Sequence, residues 1–378
     1  MNPKVLYTAS TYSHLRNFHR PYLAWFHGMG WTVHAAAGGE PGNLPEADKT
    51  VTLPFAKRMT APSNFRCASM LGALMRQEQY DLVVVNTALA AFFTRLPLLR
   101  KENRPEVVNI VHGYLFDRDT SPLKRSILLT AERLTASCTD LLLTMNQADL
   151  EIASHYRLGR GIVPIMGVGV PFGPVDAATA EDGLRLRDAW GIPEDAFLMV
   201  YPAEFSKRKN QEMLVRALAQ LPERAWLLLP GKGDLLAFCK ELSKELGVDD
   251  RVRFPGQVSN VPACLRAADC AVSASRSEGL PFNIMEAMRA GLPILASDVK
   301  GHRDLLGKGE GILYPFGDQA AFVSAVRLLM DDPDYRDRLG RAAHQASDNY
   351  SLEQVFPQVT GALQQKFPEL IPSAAQAR

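Results

Sequence analysis

The chain has 378 residues, and its 42 basic and 41 acidic side chains leave a net charge of +1. Hydrophobic residues make up 47% and charged residues 22%, which excludes a disordered chain, a collagen and a long coiled coil; the length implies two domains. With no global field, nucleic acid is not an expected partner, and any anion site must be local. Cys67, Cys138, Cys239, Cys264 and Cys270 contain no CxxC pair. Neither a disulfide framework nor a structural zinc site is expected, and a reducing compartment fits. The opening MNPKVLYTASTYSHLRNFHR lacks the long apolar stretch of a signal peptide. No run of about 18 apolar residues occurs. A cytoplasmic protein is expected, with room for peripheral contact at a membrane.

Short apolar runs predict strands at Lys4–Thr8, Thr32–Ala36, Leu82–Val85, Val107–Val111 and Leu141–Thr144. A second series falls at Leu198–Tyr201, Trp226–Leu229, Val252–Phe254, Cys270–Ser273, Ile294–Ala296 and Gly311–Tyr314. Their nearly continuous apolar character is that of strands buried on both faces of a parallel sheet. Helical patterns such as Asn210–Gln220, Leu235–Leu246 and Asn283–Arg289 lie between them, so α/β layers with right-handed crossovers are expected. The stretch Gly161–Ala177 (GIVPIMGVGVPFGPVDA) is rich in Gly and Pro and reads as a linker. It divides the chain into domains at 1–168 and 169–351. A ligand is expected in the cleft between them, at the carboxyl ends of the strands. Ser351–Leu370 carries a further helical pattern.

The most informative segment is Ser273–Gly291, SASRSEGLPFNIMEAMRAG. A strand ends near Ser273, a loop carries Glu278 and Gly279, and a helix starts around Pro281 and stops before Gly291. Backbone N–H groups on Phe282, Asn283 and their neighbours make an anion site at that helix start. Glu278 and Glu286 frame it with seven residues between them. Carboxylates beside a phosphate site suit hydroxyls, such as those of a ribose or a sugar. Taken alone, the pair would more readily describe a capped helix with solvated acids.

The surroundings decide otherwise. Val252–Phe316, from VRFPGQVSN through SEGLPFNIMEAMRAGLPILASDVKGHRDLL to GILYPF, resembles the signature of the retaining glycosyltransferases of family 4, which have the GT-B fold. In the first half, VHGYLF, ERLTASCTDLLLTMNQADL and GVGV resemble the subgroup that builds capsular polysaccharides and exopolysaccharides. The resemblance implies two Rossmann-like doubly wound domains facing a cleft, with a C-terminal helix, about 352–378, crossing back to the first. It places Glu286 on the ribose hydroxyls and Glu278 on those of the donor sugar. The N–H groups of Gly279, Leu280, Phe282 and Asn283 would hold the diphosphate. His112, in the V-H-G that follows a strand, matches the family histidine that contacts the donor sugar near the reacting carbon.

In YPAEFSKRKN, Tyr201–Asn210, Lys209 stands at the position of the family lysine that neutralises the diphosphate. Glu204 stands where the family usually has an arginine, five positions earlier, so Arg208 or Lys207 must supply that charge. In STYSHLRN the family's Gly-rich loop is missing; Ser13 and His14 occupy its place, and His14 and Arg16 are candidates for serving the acceptor. PGKGD at Pro230–Asp234 is no GxGxxG, which disfavours an NAD-type site. No His/Cys/Asp cluster with metal-ligand spacing is present, and no metal or other cofactor is expected. GxSxG is absent too.

The expected protein is thus a retaining glycosyltransferase. It would move a sugar from a nucleotide sugar, most simply a UDP-sugar, to a saccharide or lipid-linked saccharide acceptor in cell-surface polysaccharide biosynthesis. Two alternatives remain. A UDP-sugar 2-epimerase would draw acid/base carboxylates from Asp117, Asp119 and Glu132. A non-catalytic nucleotide-sugar-binding protein would explain Glu204. Finally, His14–His27 and Phe55–Arg66 interleave Arg16, Arg20, Lys57, Arg58 and Arg66 with Phe18, Tyr22, Trp25, Phe26 and Phe65. This pattern predicts a membrane-docking face, unless the aromatics pack the first helix onto the sheet.

Overall fold

Apolar strands flanked by helices organise the chain, which the computed structural model describes over residues 2–117 and 120–372. Two units result: Met1–Gly169 with Glu353–Arg378, and Val170–Leu352. The first holds β1 (Lys4–Ala9), β2 (Thr32–Ala37), β3 (Lys49–Thr52), β4 (Leu82–Asn86), β5 (Glu106–Val111), β6 (Leu141–Thr144) and β7 (Gly161–Pro164). All pair in parallel, in the order β3-β2-β1-β4-β5-β6-β7. The second holds β8 (Phe197–Val200), β9 (Ala225–Pro230), β10 (Val252–Gly256), β11 (Cys270–Ser273), β12 (Ile294–Ser297) and β13 (Ile312–Tyr314). Its order, β10-β9-β8-β11-β12-β13, is again parallel. In each sheet the chain works outward from one strand in both directions. That leaves a switch point between β1 and β4, and another between β8 and β11, where a crevice opens outside the carboxyl ends of the strands.

In the first unit the helices are α1 (Tyr12–Phe18), α2 (Arg20–Gly28), α3 (Pro62–Glu78), α4 (Ala88–Arg95), α5 (Pro122–Thr135) and α6 (Gln147–Tyr156). The second has α7 (Gly173–Ala177), α8 (Ala180–Ala189), α9 (Gln211–Leu218), α10 (Leu236–Glu245), α11 (Val261–Ala267), α12 (Phe282–Arg289), α13 (Lys300–Leu306), α14 (Gln319–Asp331) and α15 (Pro333–Ser347). The last, α16 (Leu352–Lys366), packs in the first unit. Val355, Val359 and Leu363 on α16 are buried, and Phe356 stacks on Tyr22 with ring centroids 5.2 Å apart.

Two strands escaped the sequence reading. β3 is short, polar and exposed, an edge strand with no apolar run to betray it. β7 lies inside the stretch read as a linker, which is a correction. An edge strand needs one neighbour only, so four residues suffice, and Gly161 and Pro164 are tolerated there. α7 takes the other end of that stretch, which leaves residues 165–172 as the connection.

The aromatic pattern in α2 is corrected as well. Tyr22 and Phe26 are buried in the first unit's core, and Trp25 packs on Phe26 and Phe356. Of the two proposed docking segments, Phe65, Lys57, Arg58 and Arg66 are exposed. All five cysteines are buried with free thiols. Among the described residues no helix is long and apolar enough to cross a membrane.

Candidate active site

In the second unit, the loops after β8 and β11 meet at the switch point. Two hydrogen bonds clasp them: Arg276 N–H donates to the Arg208 carbonyl (2.8 Å), and Arg276 Nε to that of Lys207 (2.9 Å). The PGKGD turn after β9 supports the first loop from behind. Ala203 N–H donates to Pro230 O and Phe205 N–H to Lys232 O. Gly231 has φ +152, and a Cβ there would run into the Ala203 carbonyl, so only glycine allows this approach. The glycines that looked like half a dinucleotide motif thus build the wall of the cation loop.

Glu278 is 7% exposed at the centre. One carboxylate oxygen accepts from Lys209 Nζ (2.6 Å) and Ser275 Oγ (2.6 Å), the other from Arg208 (2.8 Å). Burial alone would raise this carboxyl. Lys209 and Arg208 outweigh it, with a smaller contribution from His302, and hold the group down at about 2. Behind Ser275, the Tyr201 hydroxyl lies 2.7 Å away and itself accepts from Ser273 Oγ (3.2 Å). Since Ser275 spends its proton on Glu278, a one-way relay runs Ser273 to Tyr201 to Ser275 to Glu278, all buried. Tyr201, Ser273 and Ser275 went unassigned in the sequence, because nothing in their spacing links two strand ends.

Of the two cations offered for the charge missing at Glu204, Arg208 joins Lys209 on Glu278. For Lys207 the fixed contact is its carbonyl, and Glu204 is exposed. Gly279 and Leu280 continue the loop to Pro281, and Phe282 and Asn283 open α12 as expected. The first-turn N–H groups of a helix have no intrahelical acceptor. The Asn283 side chain is a tether, donating to Pro202 O (3.0 Å). Gly301 at the start of α13 lets that helix rest against the Gly279 carbonyl, where a Cβ would not fit. Glu286 sits one turn inside α12. No group among the described residues hydrogen-bonds its half-buried carboxyl, and burial pushes it up to about 7.

In the first unit, His112 follows β5 and His14 projects from α1, and a third histidine joins them. Nε2 of His14 lies 3.3 Å from Nε2 of His112 and 3.4 Å from that of His19, and His19 to His112 is 3.2 Å. Asn86, at the end of β4, places Oδ1 3.3 Å from His112 Nε2. Burial lowers His14 to about 4; burial and then the neighbouring imidazoles hold His19 and His112 well below their ordinary value, so all three rings are neutral at neutral pH. His19 was missed because it lies five positions after His14, which is not a helix-face spacing. The helix breaks there: His19 has φ −123 and ψ −2 between α1 and α2, and the break turns its ring back. The expectation of no metal-type cluster is corrected to this extent: residues 98 positions apart make one. Ser13 stays out of it, with its hydroxyl 3.0 Å from that of Thr11. Arg16 is used within the unit, donating to the Glu40 and Pro41 carbonyls.

Among the described residues, the carboxylates of the epimerase alternative have separate partners. Glu132 is buried against Arg95 (2.8 Å), which also donates to Thr139 (2.9 Å). Asp117 accepts from Thr120 (2.8 Å). Asp119 lies outside the described residues.

Comparison with known proteins agrees with this geometry. The family described as "Glycosyl transferases group 1" matches residues 184–346, and "Glycosyltransferase Family 4" matches residues 22–165. EpsD of Bacillus subtilis (strain 168), named as a glycosyltransferase, is 32% identical over 93% of both chains. The UDP-Gal:alpha-D-GlcNAc-diphosphoundecaprenol alpha-1,3-galactosyltransferase of Escherichia coli is 24% identical over 68% of each. Anabaena HepE, solved in complex with UDP-glucose, superposes with a TM-score of 0.78 at 20% identity, covering 96% of this chain and 99% of its own. Its fold is therefore that of this chain. The two strand orders, the clasped cation loop and a full-length relative above 30% identity lead to one conclusion: this chain belongs to the family 4 glycosyltransferases and is a transferase of the GT-B fold.

Proposed function

We propose that the enzyme transfers a sugar, with retention, from a UDP-sugar to a lipid-linked saccharide in cell-surface polysaccharide assembly, on the cytoplasmic side of a membrane. The observation that carries this reading is Glu278 held between Lys209 and Arg208 at the start of α12. A diphosphate arriving there meets two cations, the loop amides of Gly279 and Leu280 and the first-turn amides of Phe282 and Asn283 in α12. These groups stabilise the leaving diphosphate without a metal beside it. Glu278, released from its cations, accepts from sugar hydroxyls, and Glu286 from the ribose. His112 Nδ1, which has no partner among the described residues, is free to reach a sugar hydroxyl. In the reaction the acceptor oxygen bonds to the anomeric carbon as the bond to the diphosphate breaks. The diphosphate leaves with the electron pair and takes the acceptor's proton. Attack from the face that the leaving group vacates retains configuration and needs no protein base. The UDP-glucose complex of HepE supports the nucleotide, and the diphosphoundecaprenol acceptor of the E. coli relative supports the lipid. The test is a panel of UDP- and GDP-sugars with diphosphoundecaprenol-linked saccharide, product anomers being read by NMR. Inverted product, isomerised donor or binding without transfer would each overturn the reading.

The Glu286 carboxyl at about 7 gives the donor site a pH dependence. Only the carboxylate accepts from both ribose hydroxyls, so below pH 7 it must first lose a proton. Affinity for UDP-glucose, whose own phosphates do not titrate in this range, is expected to rise about tenfold from pH 6 to pH 8. Glu286→Gln should flatten the profile. Calorimetry over that range measures it.

Membrane contact, in turn, falls to α5 rather than α2. Leu123 (74% exposed), Ile127 (62%) and Leu134 (52%) line its outer face, flanked by Lys124 and Arg133. An apolar stripe beside cations suits an anionic lipid surface. Leu123→Glu with Ile127→Glu is expected to cut co-sedimentation with anionic liposomes about tenfold. The pair Lys57→Glu and Arg58→Glu, on the segment expected earlier, should change it less.

A further inference from the structure

The first unit brings three imidazoles nose to nose. His14, His19 and His112 come from the helix pair after β1 and from the end of β5. Their Nε2 atoms form a triangle with sides of 3.2, 3.3 and 3.4 Å. Hydrogen bonding alone satisfies this poorly. Each neutral Nε2 is either a donor or a bare lone pair, so among three at least two like atoms must face each other. A cation at the centre removes the conflict.

The dimensions identify which cation. An ion about 2.05 Å from each of three tetrahedral ligands sets them about 3.3 Å apart, the length of the observed sides. Two of the three ring pairs are also spaced as such an ion requires. Imidazoles pointing at one such ion place their centroids about 5.2 Å apart. The pairs His14–His19 and His19–His112 are each at 5.2 Å, and His14–His112 is at 4.4 Å. Among the described residues the cluster contains neither carboxylate nor thiolate. Three imidazoles suit zinc, cobalt, nickel or copper, and not the oxygen-seeking magnesium or calcium.

We propose that His14, His19 and His112 bind one divalent transition-metal ion of the zinc class through their Nε2 atoms, leaving a fourth position open. The site goes beyond the diphosphate chemistry of the other unit, and it uses His112 through Nε2 where the proposed sugar contact uses Nδ1. Coordination through Nε2 fixes His112 as the Nδ1–H tautomer, a hydrogen-bond donor for a ligand hydroxyl. Asn86 Oδ1, 3.3 Å from His112 Nε2, borders the site. The outer shell is sparse, since His19 Nδ1 is buried without a partner. Partners of that kind are worth 10–100-fold in affinity, so the ion is held reversibly and leaves to a chelator without unfolding the chain.

The full chain, purified without a polyhistidine tag and stripped with EDTA, is titrated with Zn2+ by calorimetry and with Co2+ by visible absorption. One equivalent per chain is expected, with the strong visible bands of four-coordinate cobalt. His14→Gln and His19→Gln should each weaken binding at least tenfold, and His155→Gln, an exposed histidine of α6, should not. His14 is partly exposed, so its variant decides the matter if His19→Gln fails to fold by circular dichroism. Absence of saturable one-to-one binding by the unsubstituted chain would overturn the proposal, as would full binding by His14→Gln.

Discussion

Lys209→Ala is expected to lower the rate of sugar transfer by about 10²–10³-fold, the cost of removing one preplaced charge from a developing anion. Donor affinity should fall much less, because the diphosphate gains most of its charge as the glycosidic bond breaks. Lys209 is the better placed of the two cations. Its side chain is 11% exposed against 47% for Arg208, so water screens it less. Arg208→Ala should therefore cost less turnover than Lys209→Ala. Stability will also respond, because Glu278 stays buried with Arg208 and Ser275 as its remaining partners. Single-turnover rates, donor affinities and melting curves on both variants separate the two effects. Full transfer rates in both would place the diphosphate elsewhere.

Glu286→Ala should weaken UDP binding by about 1.5–3 kcal/mol, roughly 10–150-fold, the range for hydrogen bonds to a charged group. The ligand-free protein should move the other way. A carboxyl raised to about 7 in the fold binds its proton more tightly than in the unfolded chain. The cost of ionising it is absent below the unfolded value of about 4.3, grows as pH rises, and is fully present above 7. Glu286→Ala should accordingly melt at a higher temperature than the parent at pH 8, the difference shrinking toward pH 4. Weaker UDP binding with greater stability marks a residue retained for ligand at the expense of the fold. Unchanged UDP affinity by calorimetry would remove Glu286 from the ribose.

The placement of the second unit's candidate residues was legible because it is local. Glu278, Gly279 and Glu286 fall within nine residues that read directly as strand end, loop and helix start. Lys209 was singled out through the family resemblance; the choice between Arg208 and Lys207 needed the fold, since both precede it closely in the chain and only Arg208 reaches Glu278. What eluded the sequence was tertiary. Tyr201 and Ser275 lie 74 residues apart and touch because β8 and β11 are adjacent. His19 turns toward His112 at a helix break whose signal, Pro21 in the first turn of α2, the sequence reading did not use. The aromatics of α2 misled for the opposite reason: the spacing that seats a helix on a sheet is the same one that would seat it on lipid, and burial alone tells them apart.

The place of α16 also sets a timetable for synthesis. The second unit is continuous and has its whole chain by Leu352. The first is not: Tyr22 and Trp25 wait for Phe356, and the helix that brings it is made only after the second unit. At 5–20 residues per second the ribosome spends about 10–40 s on Val170–Leu352 before that helix begins. Throughout that interval the earlier-made unit carries an uncovered aromatic face, while the later-made unit can close. The usual amino-terminus-first order is thereby reversed at the final step: the first unit is completed by a helix made after the whole of the second.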